Sequence, residues 1–319
     1  MCTSVRFTDD KGRMFFGRNL DWCTPFGERV LATPATFDRP FAFVDGPASP
    51  HALIGMGIVS KEGLPLFFDC ANEAGLAIAG LNFPGYAAYE DAPVEGKTSI
   101  ASYEMPRWVA ASFSTVDEAE AALRDVAVVG APIDGLGVSM LHWIIADDTR
   151  SIVVEYTKRG MEIFHDDLDV MANQPGFDYH RENVRNYLAD TPVMPADAKW
   201  REQTLSPFGS GLGMPGLPGE YSSPARFVRA AYFNAHYPVQ SGESANVSRL
   251  FHTLAACGMI EGAAAMADGA YEVTLYTGGF SAATKTYYYS TYEDPAIKGV
   301  TMEEALAAGD GEHVVEVAL

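Results

Sequence analysis

A β-strand pattern that starts at the second residue leaves this chain few ways to fold. Cys2, Ser4 and Arg6 share one parity and Thr3, Val5 and Phe7 the other. Asp9-Asp10-Lys11-Gly12 supplies a turn, and residues 14–19 read as the returning strand of a hairpin. Further β-prone runs at residues 52–59, 66–70 and 76–82 are separated by Lys61-Glu62-Gly63 and Asn72-Glu73-Ala74-Gly75. Spacing this tight predicts an antiparallel meander, because parallel strands need crossovers of roughly a dozen residues or more.

Helical periodicity takes over at residues 99–112 and 115–125, the second opening on a Thr115…Glu118 capping box. Strand patterns return at residues 138–146, 151–156 and 161–165, with Lys158-Arg159-Gly160 as the turn between the last two. Helical patterns follow at residues 178–188, 224–234 and 245–257, then strands at 271–276 and 284–292 flanking Gly278-Gly279-Phe280-Ser281. Two groups of strands, two groups of helices and no linker or repeat predict two sheets covered by helices, within one domain over residues 1–319.

With 319 residues, 48% of them hydrophobic, the chain can bury a sizeable core. Its 22 Lys+Arg against 42 Asp+Glu give a formal charge of −20 without any basic patch, which argues against nucleic acid as a partner. There is no run of about 18 apolar residues for a membrane helix, and no cationic segment leading into an apolar one at the N-terminus. The four cysteines show neither CxxC nor metal-ligand spacing. A cytoplasmic protein in a reducing compartment, with no metal or cofactor, is expected.

Several familiar chemistries fail. Gly211-Leu212-Gly213-Met214-Pro215-Gly216 satisfies GxGxxG but follows no strand and opens no helix, so a Gly/Pro-rich surface loop is expected there. No HExxH or GxSxG is present, and His165-Asp166-Asp167 reads as a solvated turn. Neither Cys70 nor Cys257 opens a helix, so a papain-like site is not expected; these cysteines read as small packing residues.

What survives is Cys2. Loss of Met1 would leave a thiol and a free α-amine on one residue, and an α-amine titrating at about 7.7–8.0 can act as the nucleophile's own base. Arg18, on the returning strand, and Asp21, just beyond it, are candidates to stabilise the thiolate and to hold the amine.

These residues carry a resemblance. Met1-Cys-Thr-Ser-Val-Arg-Phe7 followed by Phe16-Gly-Arg-Asn-Leu-Asp-Trp22 resembles the opening of the choloylglycine hydrolase family, the N-terminal-nucleophile amidases that include bile salt hydrolases and penicillin V acylases. The similarity continues through residues 72–85, Leu141-His-Trp143, Met171-Ala-Asn-Gln-Pro175, Ser222-Ser-Pro-Ala-Arg-Phe-Val228, Asn246-Val-Ser-Arg-Leu-Phe-His252 and Thr284-Lys-Thr-Tyr-Tyr288, essentially the whole length. The resemblance implies an α+β fold, a four-layer αββα sandwich with two antiparallel sheets, assembled as a homotetramer. It implies Cys2 as nucleophile after removal of Met1, Arg18 and Asp21 beside the thiol and the amine, Asn82 and Asn173 shaping the oxyanion hole, and Arg226 as the second active-site arginine. The implied substrates are glycine- and taurine-conjugated bile salts, with penicillin V or another N-acyl amide as the alternative. A steroid needs an apolar groove; Leu20, Trp22, Phe26, Phe67, Leu136 and Leu141 are the candidate lining residues. The resemblance also places residues 209–219 in a loop near the site and a subunit contact.

Overall fold

A computed structural model describes residues 1–44, 51–133, 135–311 and 313–317. The first half runs β1 (Cys2–Thr8), β2 (Met14–Trp22), β3 (Arg29–Thr33), β4 (Leu53–Val59), β5 (Pro65–Asn72), β6 (Ala77–Asn82), β7 (Thr98–Ala101), α1 (Met105–Ser112) and α2 (Val116–Leu123). It continues β8 (Val126–Val129), β9 (Leu141–Ala146), β10 (Ser151–Thr157), β11 (Gly160–His165), β12 (Val170–Met171) and α3 (Phe177–Asn183). Beyond these lie β13 (Ala198–Trp200), β14 (Gln203–Leu205), α4 (Ser223–His236) and α5 (Glu243–Ala255). The chain closes with β15 (Val273–Ser281), β16 (Thr286–Thr291), β17 (Lys298–Thr301), α6 (Met302–Ala307) and β18 (Val315–Val317).

The expected hairpin forms with Cys2 opposite Leu20 and Ser4 opposite Arg18. It sits inside a six-stranded sheet ordered β12-β1-β2-β15-β16-β17, while the expected meander forms the centre of an eight-stranded sheet ordered β11-β10-β9-β6-β5-β4-β3-β18. Every pairing in these two sheets is antiparallel. The short β7 and β8 pair in parallel outside them.

Parity decides the layers. Odd residues of β1 and β2 meet helices: Asn19 Nδ2 donates to Leu254 O of α5, and Arg226 of α4 bonds Thr3. Even residues meet the other sheet: Arg6 and Arg18 donate to backbone carbonyls of Asp147, Asp148 and Gly80. On the far face of the eight-stranded sheet, α1 and α2 bury Trp108, Val109, Val116 and Leu123 against Ile78, Ile145 and Val154. The order is α4/α5, sheet, sheet, α1/α2, the four-layer α+β sandwich. Each large apolar side chain enclosed between layers contributes about 1.5–3 kcal/mol, so the two hydrophobic clusters hold the layers in register.

Four local readings differ from the sequence expectation. The helical pattern at residues 99–112 begins as strand β7 and a 3-10 turn, and α1 starts only at Met105. Thr115 caps α2 by accepting from Glu118 N, but Glu118 reaches Ser114 N, so the box is half made. Gly278-Gly279-Phe280-Ser281 is not a connection but the end of β15. A Cβ on Gly278 would lie 2.2 Å from the Tyr287 hydroxyl, and one on Gly279 would lie 2.3 Å from Leu250 of α5; close approach from both faces explains the glycines. Finally, Asp166 is no solvated turn residue: it is 3% exposed, with Ser151 Oγ 3.2 Å from its carboxyl.

No helix among the described residues is long and apolar enough to cross a membrane, and no group of three His, Cys, Asp or Glu there could hold a metal ion.

Burial, with Asp169 as a neighbouring carboxylate, pushes the Asp166 carboxyl up from 3.8 to about 8. The unfolded chain releases this proton at the lower value and the folded chain at the higher. The fold therefore holds an extra proton between them and loses stability as pH rises through that window. Asp166→Asn, which mimics the protonated acid, should raise Tm by about 2 °C or more at pH 8.5 and change it little at pH 4. Thermal unfolding at both pH values checks this; a lower Tm for the variant at pH 8.5 would contradict it.

Candidate active site

Cys2 opens β1 and is 6% exposed, held because pairing with β2 begins at that residue. Its even parity sends the thiol toward the gap between the sheets, where Arg18, on the paired strand, places Nη2 2.7 Å from Sγ. The Arg18 guanidinium crosses that gap: Nη1 donates to Gly80 O at 3.2 Å and to Phe68 O at 3.4 Å, and Nε to Asn19 O at 3.1 Å. Burial pulls its ionisation down, but Cys2, Tyr276, Asp69 and Tyr287 outweigh that and hold the guanidinium charged.

On the helix side the backbone of residue 2 is gripped as firmly. Ser222 caps α4 through Ala225 N, with Pro224 in the first turn, and this brings Arg226 to the β1 strand. A cation so near a helix N-terminus opposes the helix dipole, so its place reflects its partners. Arg226 Nη1 donates to Cys2 O and, at 2.6 Å, to Thr3 Oγ1; Nη2 donates to Asn173 Oδ1 at 2.8 Å. That same Oδ1 accepts from Cys2 N at 2.6 Å, while Asn173 Nδ2 donates to Asn82 O at 2.8 Å and keeps its second hydrogen.

Asp21 is buried on this side too. Its Oδ1 accepts from Thr274 Oγ1 at 2.6 Å; its Oδ2 has no hydrogen-bond donor and lies 4.0 Å from Arg226. Burial raises the Asp21 carboxyl, and Arg226 and the N-terminal amine oppose the rise. The Met1 amine donates to Asp21 O and lies 3.5 Å from Glu272, so the terminus is already tied down where residue 2 begins.

A cavity of about 360 Å³ opens on the thiol. Cys2, Arg18, Asp21 and Asn82 are at its floor, and its walls include Leu20, Trp22, Phe26, Phe67, Leu136 and Leu141, all six candidate lining residues. Trp22 stacks on Phe26 at 6.4 Å, and Phe26 meets Phe68 edge-on at 5.4 Å. Its size and apolar walls suit a bulky apolar ligand. Asn173 and Arg226 are not among the lining residues; Arg226 holds the Cys2 backbone from the helix side, and Asn173 Nδ2 reaches the cavity-lining Asn82.

Residues 209–219 form a loop with neither helix nor strand, bonded through Gly213, Gly216 and Pro218 to Thr191, Asp190 and Arg229. None of them is among the residues lining the cavity.

Sequence reading did not single out Ile58, Phe68, Tyr103, Ile133, Val138 or Met140 on the cavity wall. It also missed His180, whose Nε2 is 2.9 Å from Asn173 O. Burial lowers His180 to about 4, so the ring is neutral, and since a carbonyl only accepts, Nε2 carries the hydrogen. An aromatic or histidine in an amphipathic pattern has no sequence signal separating wall from core.

The chain is similar to several known proteins. A family described as linear amide C-N hydrolases, choloylglycine hydrolase family, matches residues 2–314. The bile salt hydrolase/transferase of Bifidobacterium longum subsp. longum is 52% identical over 305 residues, covering 95% of this chain and 96% of the relative. The conjugated bile acid hydrolase of Lactobacillus gasseri is 43% identical over 312 residues, covering 97% and 98%. A crystal structure of a variant of conjugated bile acid hydrolase from Clostridium perfringens superposes with a TM-score of 0.91 at 30% identity, covering 100% of this chain and 97% of that one. The fold is that of the N-terminal-nucleophile hydrolases, and the chain belongs to the choloylglycine hydrolase family of linear amide C–N hydrolases.

Proposed function

We propose that this protein hydrolyses the amide bond of glycine- and taurine-conjugated bile salts, with Cys2 as nucleophile after removal of Met1. The observation that carries the reading is a buried thiol, 2.7 Å from a guanidinium, at the floor of an apolar cavity of about 360 Å³. The names carried by the relatives point to the acyl group.

In this mechanism the α-amine of Cys2 takes the thiol proton and Sγ attacks the amide carbonyl. Asn82 and the remaining N–H of Asn173 stabilise the oxyanion, each donor worth about 2.7–4 kcal/mol. The amine then protonates the leaving nitrogen, the C–N bond breaks, and glycine or taurine departs from a thioester. Water, deprotonated by the same amine, attacks the thioester; the C–S bond breaks, the thiol regains its proton, and the free bile acid leaves. Asp21 supports the role of the amine, because its buried Oδ2 lacks a donor that a new α-ammonium beside it would supply. Arg18 steadies the thiolate and Arg226 holds the residue-2 backbone. The chemistry needs no metal or cofactor.

The whole chain acts as one domain, a reading supported by β18 pairing with β3 at the edge of the eight-stranded sheet. We also propose a cytoplasmic homotetramer. Trp200 and Leu205 on the β13–β14 hairpin, and Phe208 just after it, expose apolar side chains, with Trp200 73% exposed; apolar surface of this kind marks association sites. The four free thiols fit a reducing compartment. Penicillin V acylase activity is the second reading, since the same nucleophile serves both.

Cys2→Ser should fold but keep under about 1% of glycocholate turnover, read as glycine release; retention of most of the activity would refute the nucleophile. Intact mass should show a mature chain without Met1. Glycocholate and taurocholate should both be cleaved far faster than penicillin V, and the reverse order would favour the second reading.

Arg226→Met should cost about 3 kcal/mol or more of stability, because it leaves Asp21 buried without its cation. Adding Asp21→Asn should recover part of that loss. Denaturant unfolding of both single variants and the double variant measures the coupling; strictly additive effects would show that the two groups do not act as a pair.

A further inference from the structure

Among the buried carboxylates that the cavity and its catalytic groups leave without a task, Asp69 is one whose charge acts on Arg18. Asp69 is on β5, in the apolar run Leu66-Phe67-Phe68-Asp69-Cys70, 3% exposed and absent from the cavity wall. Its Oδ2 accepts from the Tyr276 hydroxyl and its Oδ1 from the Tyr287 hydroxyl, both at 2.6 Å. Burial raises both phenols well above their ordinary value, so each keeps its proton and donates it. Burial raises the Asp69 carboxyl, and Arg18 together with the two phenol hydrogen bonds opposes that rise and favours the ionised form.

Tyr276 touches both this carboxylate, through its hydroxyl, and the Arg18 guanidinium, which lies 5.7 Å from its ring centroid. Gly278 is directly opposite Arg18 in the sheet register. A Cβ there would collide with the Tyr287 hydroxyl and crowd Tyr276. The room for both tyrosines, and hence the placement of Asp69, depends on that glycine.

We propose that Asp69, gripped by Tyr276 and Tyr287, is a positioning residue: the fixed counter-ion that balances Arg18 and sets how tightly the guanidinium holds the Cys2 sulfur. The inference rests on Cys2 being the nucleophile. With Asp69 in place the guanidinium is shared between two anions, so the thiolate is held but not trapped. Without it, Arg18 loses one of the anions that answer its charge, and the thiolate carries more of that balance. That thiolate would form at lower pH and be a weaker nucleophile, since nucleophilicity falls with thiol basicity.

Other charged and titratable groups face this region. Asp21 of β2 and Arg226 of α4 pair with each other on the helix side, Cys70 adjoins Asp69 on β5, and the N-terminal amine lies by Glu272. Of these, Asp21 also acts on Arg18, but its carboxyl is bonded to Thr274, whereas Asp69 and the two phenols face the Arg18 guanidinium between the sheets.

The test is the pH dependence of iodoacetamide labelling at Cys2, located by peptide mass, in the mature enzyme and in Asp69→Asn, Tyr276→Phe and Tyr287→Phe. Asp69→Asn should move half-maximal labelling at least half a pH unit lower. It should also lower kcat for glycocholate by somewhat under twofold for each half pH unit of that shift while leaving KM unchanged, because Asp69 does not touch the cavity. The tyrosine variants, which keep the charge but loosen its grip, should shift labelling in the same direction by less. If Asp69→Asn does not fold, the tyrosine variants decide. An unchanged or upward-shifted labelling profile in a folded variant would overturn the proposal. If the wild-type enzyme cleaved no conjugated bile salt, the proposed function would fail while labelling still judged Asp69.

Discussion

The contact between Arg18 and the Cys2 sulfur requires a full guanidinium to be buried between two β-sheets, and much of the architecture follows from that. Removing a cation from water costs several kcal/mol unless its hydrogen bonds and charge are answered. Carbonyls of Gly80 and Phe68 in the opposite sheet and of Asn19 in its own strand answer the hydrogen bonds. The thiol, two phenols and Asp69 answer the charge. The hydrogen bonds to Gly80 and Phe68 tie the six-stranded sheet to the eight-stranded one at one depth, so the same interactions that make Arg18 tolerable also fix the spacing of the layers around the cavity floor.

A second arginine completes the restraint from the other direction. Arg18 acts on the side chain of residue 2 and Arg226 on its carbonyl, with Asn173 bridging Arg226 and the residue-2 amide. A terminal residue would ordinarily fray. Here its backbone donor, its backbone acceptor and its sulfur each have a buried partner, which is the positional control that the proposed attack on a carbonyl demands. A protein with a formal charge of −20 thus presents concentrated positive character at one point. That local field matters to an anionic substrate more than the overall charge does.

Those parts of the fold encoded by neighbouring residues were legible. The hairpin at residues 2–22, the meander through β4–β6 and the helices α4 and α5 follow from alternation, turn residues and capping that act within a few positions. The resemblance to the family brought the dispersed site residues together, which no spacing could do: Cys2, Asn82, Asn173 and Arg226 come from separate strands, a loop and a helix. Asp69 stayed hidden because its partners are 207 and 218 positions away. The one local sign was an acidic residue inside an apolar strand, where unpaired carboxylates are rarely buried. Asp166 misled for the opposite reason. Its neighbours His165 and Asp167 are exposed and made the segment read as a turn, yet its own side chain is buried toward Ser151.

The division of labour between strands and loops explains how one catalytic floor can serve different acyl groups. Cys2, Arg18 and Asp21 are held by paired strands and by helix contacts, while Phe26, Ile133, Leu136 and Val138 on the cavity wall fall outside the strands. Phe26 and Leu136 are also among the more exposed large apolar residues, so they stand at the mouth and not in the core. Changing such residues would reshape the space offered to the acyl group without disturbing the thiol, because loops tolerate substitution that packed strands do not. Rigidity therefore belongs to the floor of the cavity around the thiol, and adaptability to its mouth.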